Sequence, residues 1–188
     1  MDAPLESILR QAQAGDPEAF ASLYRLFSRK VLGLCRHLLR SQEEAEDAAS
    51  EVFLRAQTGM NSYRSEMPFP AWLYSIASHY CVDRLRRRGL ESRIFSSSEP
   101  VEWEPASQEP SPLGEVMSTE RREMARMAVA ALPERYRIPL TLRYYSDLTY
   151  DQIAEALDMP RSNVATLIFR GKKELRRVLA RAGEEGLP

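Results

Sequence analysis

The chain has 188 residues, 44% hydrophobic and 28% charged, and its 26 Lys and Arg against 27 Asp and Glu give a formal net charge of −1. That is the composition of a soluble protein of one or two compact domains, and no apolar run approaches the roughly 18 residues needed to cross a bilayer. Two cysteines, Cys35 and Cys81, and two histidines, His37 and His79, are too few and too scattered for a zinc site, so no metal or cofactor is expected. The acidic start Met1-Asp2-Ala3 is unlike a secretory leader, and the expectation is a cytoplasmic protein with no membrane insertion.

The first half of the chain reads as helices throughout, without convincing strand alternation. Leu5, Ile8, Leu9 and Ala12 mark a first helix that ends at Gly15. Asp16-Pro17 then caps and opens a second, with Phe20, Leu23, Tyr24, Phe27, Val31, Leu34, Cys35 and Leu38 on its apolar side. Ser41 and Glu44 have the spacing of a capping box. The helix behind them, 43–57, turns Ala45, Ala48, Ala49, Val52, Phe53 and Ala56 inward and Glu43, Glu46, Asp47, Glu51 and Arg55 outward. Cys35 and Cys81 lie in apolar helical surroundings and read as buried free thiols.

After a turn region at 59–70 a last helix, 70–89, ends in Arg84-Leu85-Arg86-Arg87-Arg88. Trp72, Tyr74, His79 and Tyr80 are interleaved with those arginines, and Tyr63, Arg64 and Phe69 lie just before the helix. Aromatics at helical spacing usually belong to a core, which places Trp72, Ile76 and Tyr80 inward by default. Rings beside cations are also what unpaired DNA requires, because bases stack on rings while Arg and Lys follow the phosphates.

From 94 to 120 the chain carries Glu99, Glu102, Glu104, Glu109, Glu115 and Glu120 and no basic residue, together with Ser96-Ser97-Ser98 and prolines 100, 105, 110 and 112. Such a stretch is a linker, and its acids hide a segregation of charge that the total of −1 conceals.

Beyond it the chain reads as a helix-turn-helix. Thr149 and Gln152 form a capping box for a short helix whose apolar side is Ile153, Ala154 and Leu157. Asp158 stands where the turn needs positive φ, and Pro160 stops the first helix from running on. Ser162 is the expected cap of the second helix, which buries Val164, Ile168, Gly171, Leu175 and Val178. Asn163, Thr166, Arg170, Lys173 and Arg177 share its outer surface. From Arg161 to Arg181 there are seven Lys or Arg against Glu174 alone, a net of +6. A solvated basic helix would explain the charge by itself. The capped, broken and restarted arrangement favours a helix that enters a major groove, where Asn and Arg read base edges and Lys and Arg hold phosphates.

Two other classes fit parts of this pattern. A helix-turn-helix transcriptional regulator with a helical N-terminal sensing or dimerisation domain accounts for the second half, but it does not need the aromatic and arginine-rich helix. An enzyme is disfavoured, since the chain has no Gly-rich phosphate loop, HExxH motif, close His and Cys pair or nucleophile elbow. Glu43, Glu46 and Asp47 could be imagined as acid and base, but on an Ala-rich helix they form an exposed or partner-facing surface.

Taken together, these segments resemble the bacterial sigma factors of the extracytoplasmic-function (ECF) type, in the sigma-70 family, over nearly the whole chain. Ala45-Glu46-Asp47-Ala48-Ala49-Ser50-Glu51-Val52-Phe53-Leu54-Arg55-Ala56 is similar to that family's polymerase-binding helix. Phe69-Pro70-Ala71-Trp72-Leu73-Tyr74-Ser75-Ile76-Ala77, followed by Asp83-Arg84-Leu85-Arg86-Arg87-Arg88, is similar to its promoter-melting and −10 helix. Leu132-Pro133-Glu134-Arg135-Tyr136-Arg137 and the helix-turn-helix with Ile168-Phe169-Arg170 are similar to its −35 domain.

The resemblance implies an all-α fold of two small helical domains joined by an acidic Pro/Ser-rich linker: a region-2 domain at 1–92, the linker at 93–118 and a region-4 domain at 119–188. It implies a non-enzymatic sigma factor that directs core RNA polymerase to promoters by −35 recognition and −10 melting. Its partners would be the polymerase β′ clamp helices and β flap, promoter DNA and, by family habit, an anti-sigma factor. Asp47, Glu51, Phe53 and Arg55 would bind core polymerase. Tyr63, Arg64, Trp72, Tyr74, His79, Arg84, Arg86, Arg87 and Arg88 would meet the −10 element, with an extruded base near the 61–67 loop. Arg161, Ser162, Asn163, Thr166, Phe169, Arg170, Lys173 and Arg177 would meet the −35 element. The chain departs from the family at Ser50, where Gln is usual, at His79, where Asn is usual and a basic residue precedes, and at Ala165 and Leu167, commonly basic.

Overall fold

The computed structural model describes residues 3–87 and 119–184, and within them every regular element is helical. Arg88, the stretch 93–118 that the sequence reads as a linker, and the residues beyond 184 lie outside the described residues. The chain divides into two compact units, Met1–Leu85 and Arg86–Pro188.

The first unit holds four α-helices: α1 (Ala3–Gln13), α2 (Pro17–Leu39), α3 (Gln42–Thr58) and α4 (Phe69–Leu85). Gly15, at φ +90, turns the chain out of α1. The Asp16 side chain then accepts from the N–H groups of Glu18 and Ala19 at 2.9 and 3.4 Å, ahead of Pro17 in the first turn of α2. Arg40, left-handed at φ 60, ends α2, and Ser41 caps α3 by accepting from the Glu44 N–H. Helix α2 packs on α1, α3 and α4, and α3 packs on α4. Ala45, Ala48 and Ala56 are fully buried on α3 and allow that close approach, while Leu23, Leu34, Leu38, Phe69 and Leu73 fill the centre. Full burial of each such leucine stabilises the unit by about 1.5–3 kcal/mol.

Cys35 and Cys81 are both free and buried. Hydrogen bonding with Cys35, and then burial, push the Cys81 thiol far up, so it stays protonated and is a poor nucleophile.

The second unit holds α5 (Thr119–Ala131), α6 (Glu134–Tyr144), α7 (Tyr150–Leu157) and α8 (Arg161–Glu184). Helix α8 packs on all three of the others, over a core of Leu132, Ile138, Leu142, Leu148, Ile153, Leu157, Val164 and Ile168. Arg137 is buried in α6 with its guanidinium 3.5 Å from Glu134. Among the described residues no helix is long and apolar enough to cross a membrane.

Candidate functional site

The outer face of α3 is a stripe at three- and four-residue spacing: Asp47, Ser50, Glu51, Leu54, Arg55 and Thr58. Glu51 pairs with Arg55 at 2.8 Å, and Asp47 pairs across to Arg84 of α4 at 3.8 Å. The Ser50 hydroxyl donates to the Glu46 carbonyl at 3.0 Å. Phe53 is not on this face: it turns inward as its helical spacing predicts, which corrects the docking role that the resemblance gave it. It is 5% exposed, and its ring meets Tyr24 edge-on at 4.7 Å. The apolar residue on the outer stripe is its neighbour Leu54, 58% exposed. One residue is about 100° of helix rotation, so the two cannot share a face. Leu54 was findable from sequence, since it stands three, four and seven residues beyond Glu51, Ser50 and Asp47.

Two residues assigned to strand capture are likewise core. Tyr63 and Tyr74 are buried, and the rings of Tyr63, Phe69 and Trp72 pack against one another at 5.3–5.6 Å between centroids. The Tyr63 hydroxyl donates to the Met67 carbonyl at 2.9 Å. Burial, and then the charge of Glu66, push that phenol up and keep it neutral. The enclosed rings of Tyr63 and Tyr74 are not open to stack on a base.

What remains exposed or half-buried is Arg64, Trp72, His79 and Arg84, with Arg86 and Arg87 just past the end of α4. Trp72, Ile76 and Tyr80, expected in the core, are each half-buried. His79 Nδ1 lies 2.7 Å from the Ser75 carbonyl, which can only accept. Nδ1 therefore carries the proton, and in the neutral ring Nε2 is an acceptor. Sequence reasoning placed Tyr80 in the core by default, yet its hydroxyl accepts from Arg84 at 3.3 Å and its ring lies 4.7 Å from the Arg55 guanidinium.

In the second unit the capping box is complete. The Gln152 N–H reaches the Thr149 hydroxyl, and the Gln152 side chain accepts from the Thr149 N–H at 2.8 Å. Asp158 closes α7 in the left-handed region at φ 48, as its place in the turn requires. Ser162 is not the cap of α8. The chain enters through Pro160, whose carbonyl accepts from Asn163 and Val164, and Ser162 sits exposed in the first turn.

Along α8, Val164, Ile168 and Gly171 are buried, and Asn163, Phe169, Lys173 and Arg177 are exposed. Thr166 and Arg170 are half-buried beside them. Leu175 and Val178, expected inside, are only half-buried. Phe169 is 53% exposed, a large apolar ring facing outward between polar side chains. Arg177 pairs with Glu174 at 3.2 Å. Arg161 is held toward α7: its Nε lies 3.1 Å from Asp151, and its guanidinium is 5.7 Å from the Tyr150 ring.

The sigma-70 region 2 family model matches residues 23–91, and the sigma-70 region 4 model matches 122–175. Among curated proteins, the ECF RNA polymerase sigma factor SigW of Bacillus subtilis is 29% identical over 184 residues, 95% of this chain and 98% of that one. The ECF RNA polymerase sigma-E factor of Escherichia coli is 30% identical over 173 residues, 89% of this chain and 90% of that one. Two solved structures share the fold at 19% identity. They are CnrH in complex with the cytosolic domain of CnrY, at a TM-score of 0.58 over 93% of this chain and 96% of that one, and the sigma factor RpoE with the anti-sigma factor NepR from Bartonella quintana, at 0.57 over 86% and 96%.

Proposed function

Because the chain belongs to the ECF sigma factors of the sigma-70 family, and so directs core RNA polymerase to promoters, we propose that its exposed faces divide that work among named side chains. Asp47, Glu51, Leu54 and Arg55 of α3 dock on the β′ clamp helices, with Leu54 taking the apolar place first given to Phe53. Arg64, Trp72, His79, Arg84, Arg86, Arg87 and Arg88 hold the opened −10 strand. Asn163, Thr166, Phe169 and Arg170 read the −35 element, where Phe169 suits a thymine methyl, while Arg161, Lys173 and Arg177 meet phosphates.

The acidic linker at 93–118 runs through the basic channels of the enzyme, between a region-2 domain at 1–92 and a region-4 domain at 119–188. The polymerase supplies all covalent chemistry, and the work is done in the cytoplasm. An anti-sigma factor is a further partner of this reading, in keeping with the complex of the Bartonella quintana RpoE with NepR. A helix-turn-helix regulator with an unrelated sensing domain leaves the region 2 match over 23–91 without a cause.

The observation that carries the residue assignments is α8, which buries Val164, Ile168 and Gly171 and turns Asn163, Phe169 and Lys173 outward. The experiment is transcription by core polymerase with this chain from a pool of genomic fragments, with start sites mapped. Start sites sharing paired upstream motifs support the reading, and unchanged transcription on adding the chain defeats it.

Arg170 and Lys173 separate base reading from phosphate holding. Arg170→Ala is expected to cost about 1–3 kcal/mol and relax preference at one −35 position. Lys173→Ala should weaken every sequence alike and reduce the salt slope by about one. Binding of the full chain to a library of −35 variants at several salt concentrations checks both. The reverse pattern would mean that α8 lies in the groove in another orientation.

Arg86→Ala with Arg87→Ala is expected to slow open-complex formation on duplex promoters, and to do less harm on a template already mismatched across the −10 element. Permanganate reactivity of unpaired thymines measures it. Equal losses on both templates would assign these arginines to polymerase or duplex contacts instead.

A further inference from the structure

Four contacts link five side chains along the seam between α3 and α4. Glu51 pairs with Arg55 at 2.8 Å, and the Arg55 guanidinium lies 4.7 Å from the Tyr80 ring. The Tyr80 hydroxyl accepts from Arg84 at 3.3 Å, and Arg84 pairs with Asp47 at 3.8 Å. Asp47, Glu51 and Arg55 follow one another at four-residue steps on α3, as Tyr80 and Arg84 do on α4, so the string closes across the two helices. Tyr80 is the uncharged member, and it stands between two cations that would repel each other. A phenol suits that place, because its ring face attracts one guanidinium while its oxygen accepts from the other.

The ion pairs at the two ends are open to water and weak singly. Their value lies elsewhere. A long arginine side chain already held at two points has less freedom to lose when it meets its partner.

We infer that Tyr80 is a positioning residue that sets Arg55 with its ring face and Arg84 with its hydroxyl, so that one side chain prepares both the docking surface and the strand-capture surface. This rests on the roles proposed above for Arg55 and Arg84. It separates two functions within one residue, and that makes it testable by a conservative substitution.

The experiment uses the full chain with core RNA polymerase of the source bacterium, on a promoter found by the mapping of start sites. Tyr80→Phe, Tyr80→Leu, Arg84→Ala and the double variant Tyr80→Phe with Arg84→Ala are compared for affinity to core polymerase and for the rate of permanganate-detected opening. Tyr80→Phe keeps the ring and the packing. It should bind core polymerase as wild type does and open the promoter about three- to tenfold more slowly. Tyr80→Leu should also lose about threefold in affinity for core polymerase, a loss that the Phe variant does not show. With Arg84 already replaced by Ala, Tyr80→Phe should have no further effect on opening.

Equal loss of core affinity in the Phe and Leu variants overturns the inference. So does normal opening by Tyr80→Phe where Arg84→Ala is slow, or an undiminished effect of Tyr80→Phe in the absence of Arg84. Normal opening by Arg84→Ala itself removes the role assigned to Arg84, and the inference falls with it. That failure is distinguishable because it shows in the Arg84 variant alone.

Discussion

Replacing Asp47 and Glu51 together by arginine is expected to abolish co-purification with core polymerase while leaving the helical fold intact. Asp47 is exposed and Glu51 half-buried on the outer face of α3, and neither side chain enters the core. Exposed charges change stability by about 0.5 kcal/mol or less, and the Glu51–Arg55 pair, one turn apart, adds about 0.3–0.5 kcal/mol. Against a partner chosen for opposite charge, placing like charges together costs several kcal/mol, and every ~1.4 kcal/mol is a factor of ten in affinity.

The neighbouring apolar pair sharpens the test. Leu54→Asp should weaken docking without lowering the unfolding midpoint. Phe53→Ala, by emptying the space beside Tyr24, should cost about 3–5 kcal/mol of stability. Pull-down of core polymerase and thermal unfolding of each variant are the measurements. Undiminished binding by the double arginine variant would show that α3 is not the docking helix.

Gly171→Leu is expected to disrupt the second unit and with it −35 binding. A Cβ at this position would lie 2.9 Å from Leu140 Cδ1 and 3.2 Å from both Leu140 Cγ and Tyr136 Cβ. Helices α6 and α8 therefore meet so closely that any side chain larger than hydrogen forces its neighbours to shift. A methyl can be met by a shift of the flexible Leu140 side chain, at a cost that the better helix propensity of Ala, about 1 kcal/mol over Gly, largely offsets. Gly171→Ala should stay close to wild type. A leucine must part the helices, and overpacking of that kind costs about 1–3 kcal/mol or more. Denaturant unfolding followed by circular dichroism, together with binding to −35 DNA, checks both. If Gly171→Leu unfolds at the wild-type midpoint and still binds, the close approach of α6 and α8 is not required.

Much of this protein was legible in its sequence where the physics is local. The Asp16, Ser41 and Thr149 caps, the left-handed Asp158 and the outward charges of α3 depend on residues within about one turn of one another, and a turn is visible in a linear string. The all-helical fold and the family followed from such segments in order. Ser162 misled for a related reason: its residue type suits a cap, but Pro160 already supplies the carbonyl that closes the first turn of α8.

Only the tertiary structure decided which residues assigned to the polymerase or the promoter stay exposed. Helical spacing already turned Phe53 inward with Val52 and Ala56, and Tyr24, which α2 brings across, completes the enclosure of its ring and removes it from the docking face. Tyr63 and Tyr74 read as stacking platforms, but packing of the first unit encloses both in its core. In the seam of Arg55, Tyr80, Arg84 and Asp47, the Tyr80–Arg84 step has ordinary i,i+4 spacing, but the Arg55–Tyr80 and Arg84–Asp47 contacts have no sequence signature, because they join two helices whose relative rotation is fixed by packing of the buried faces.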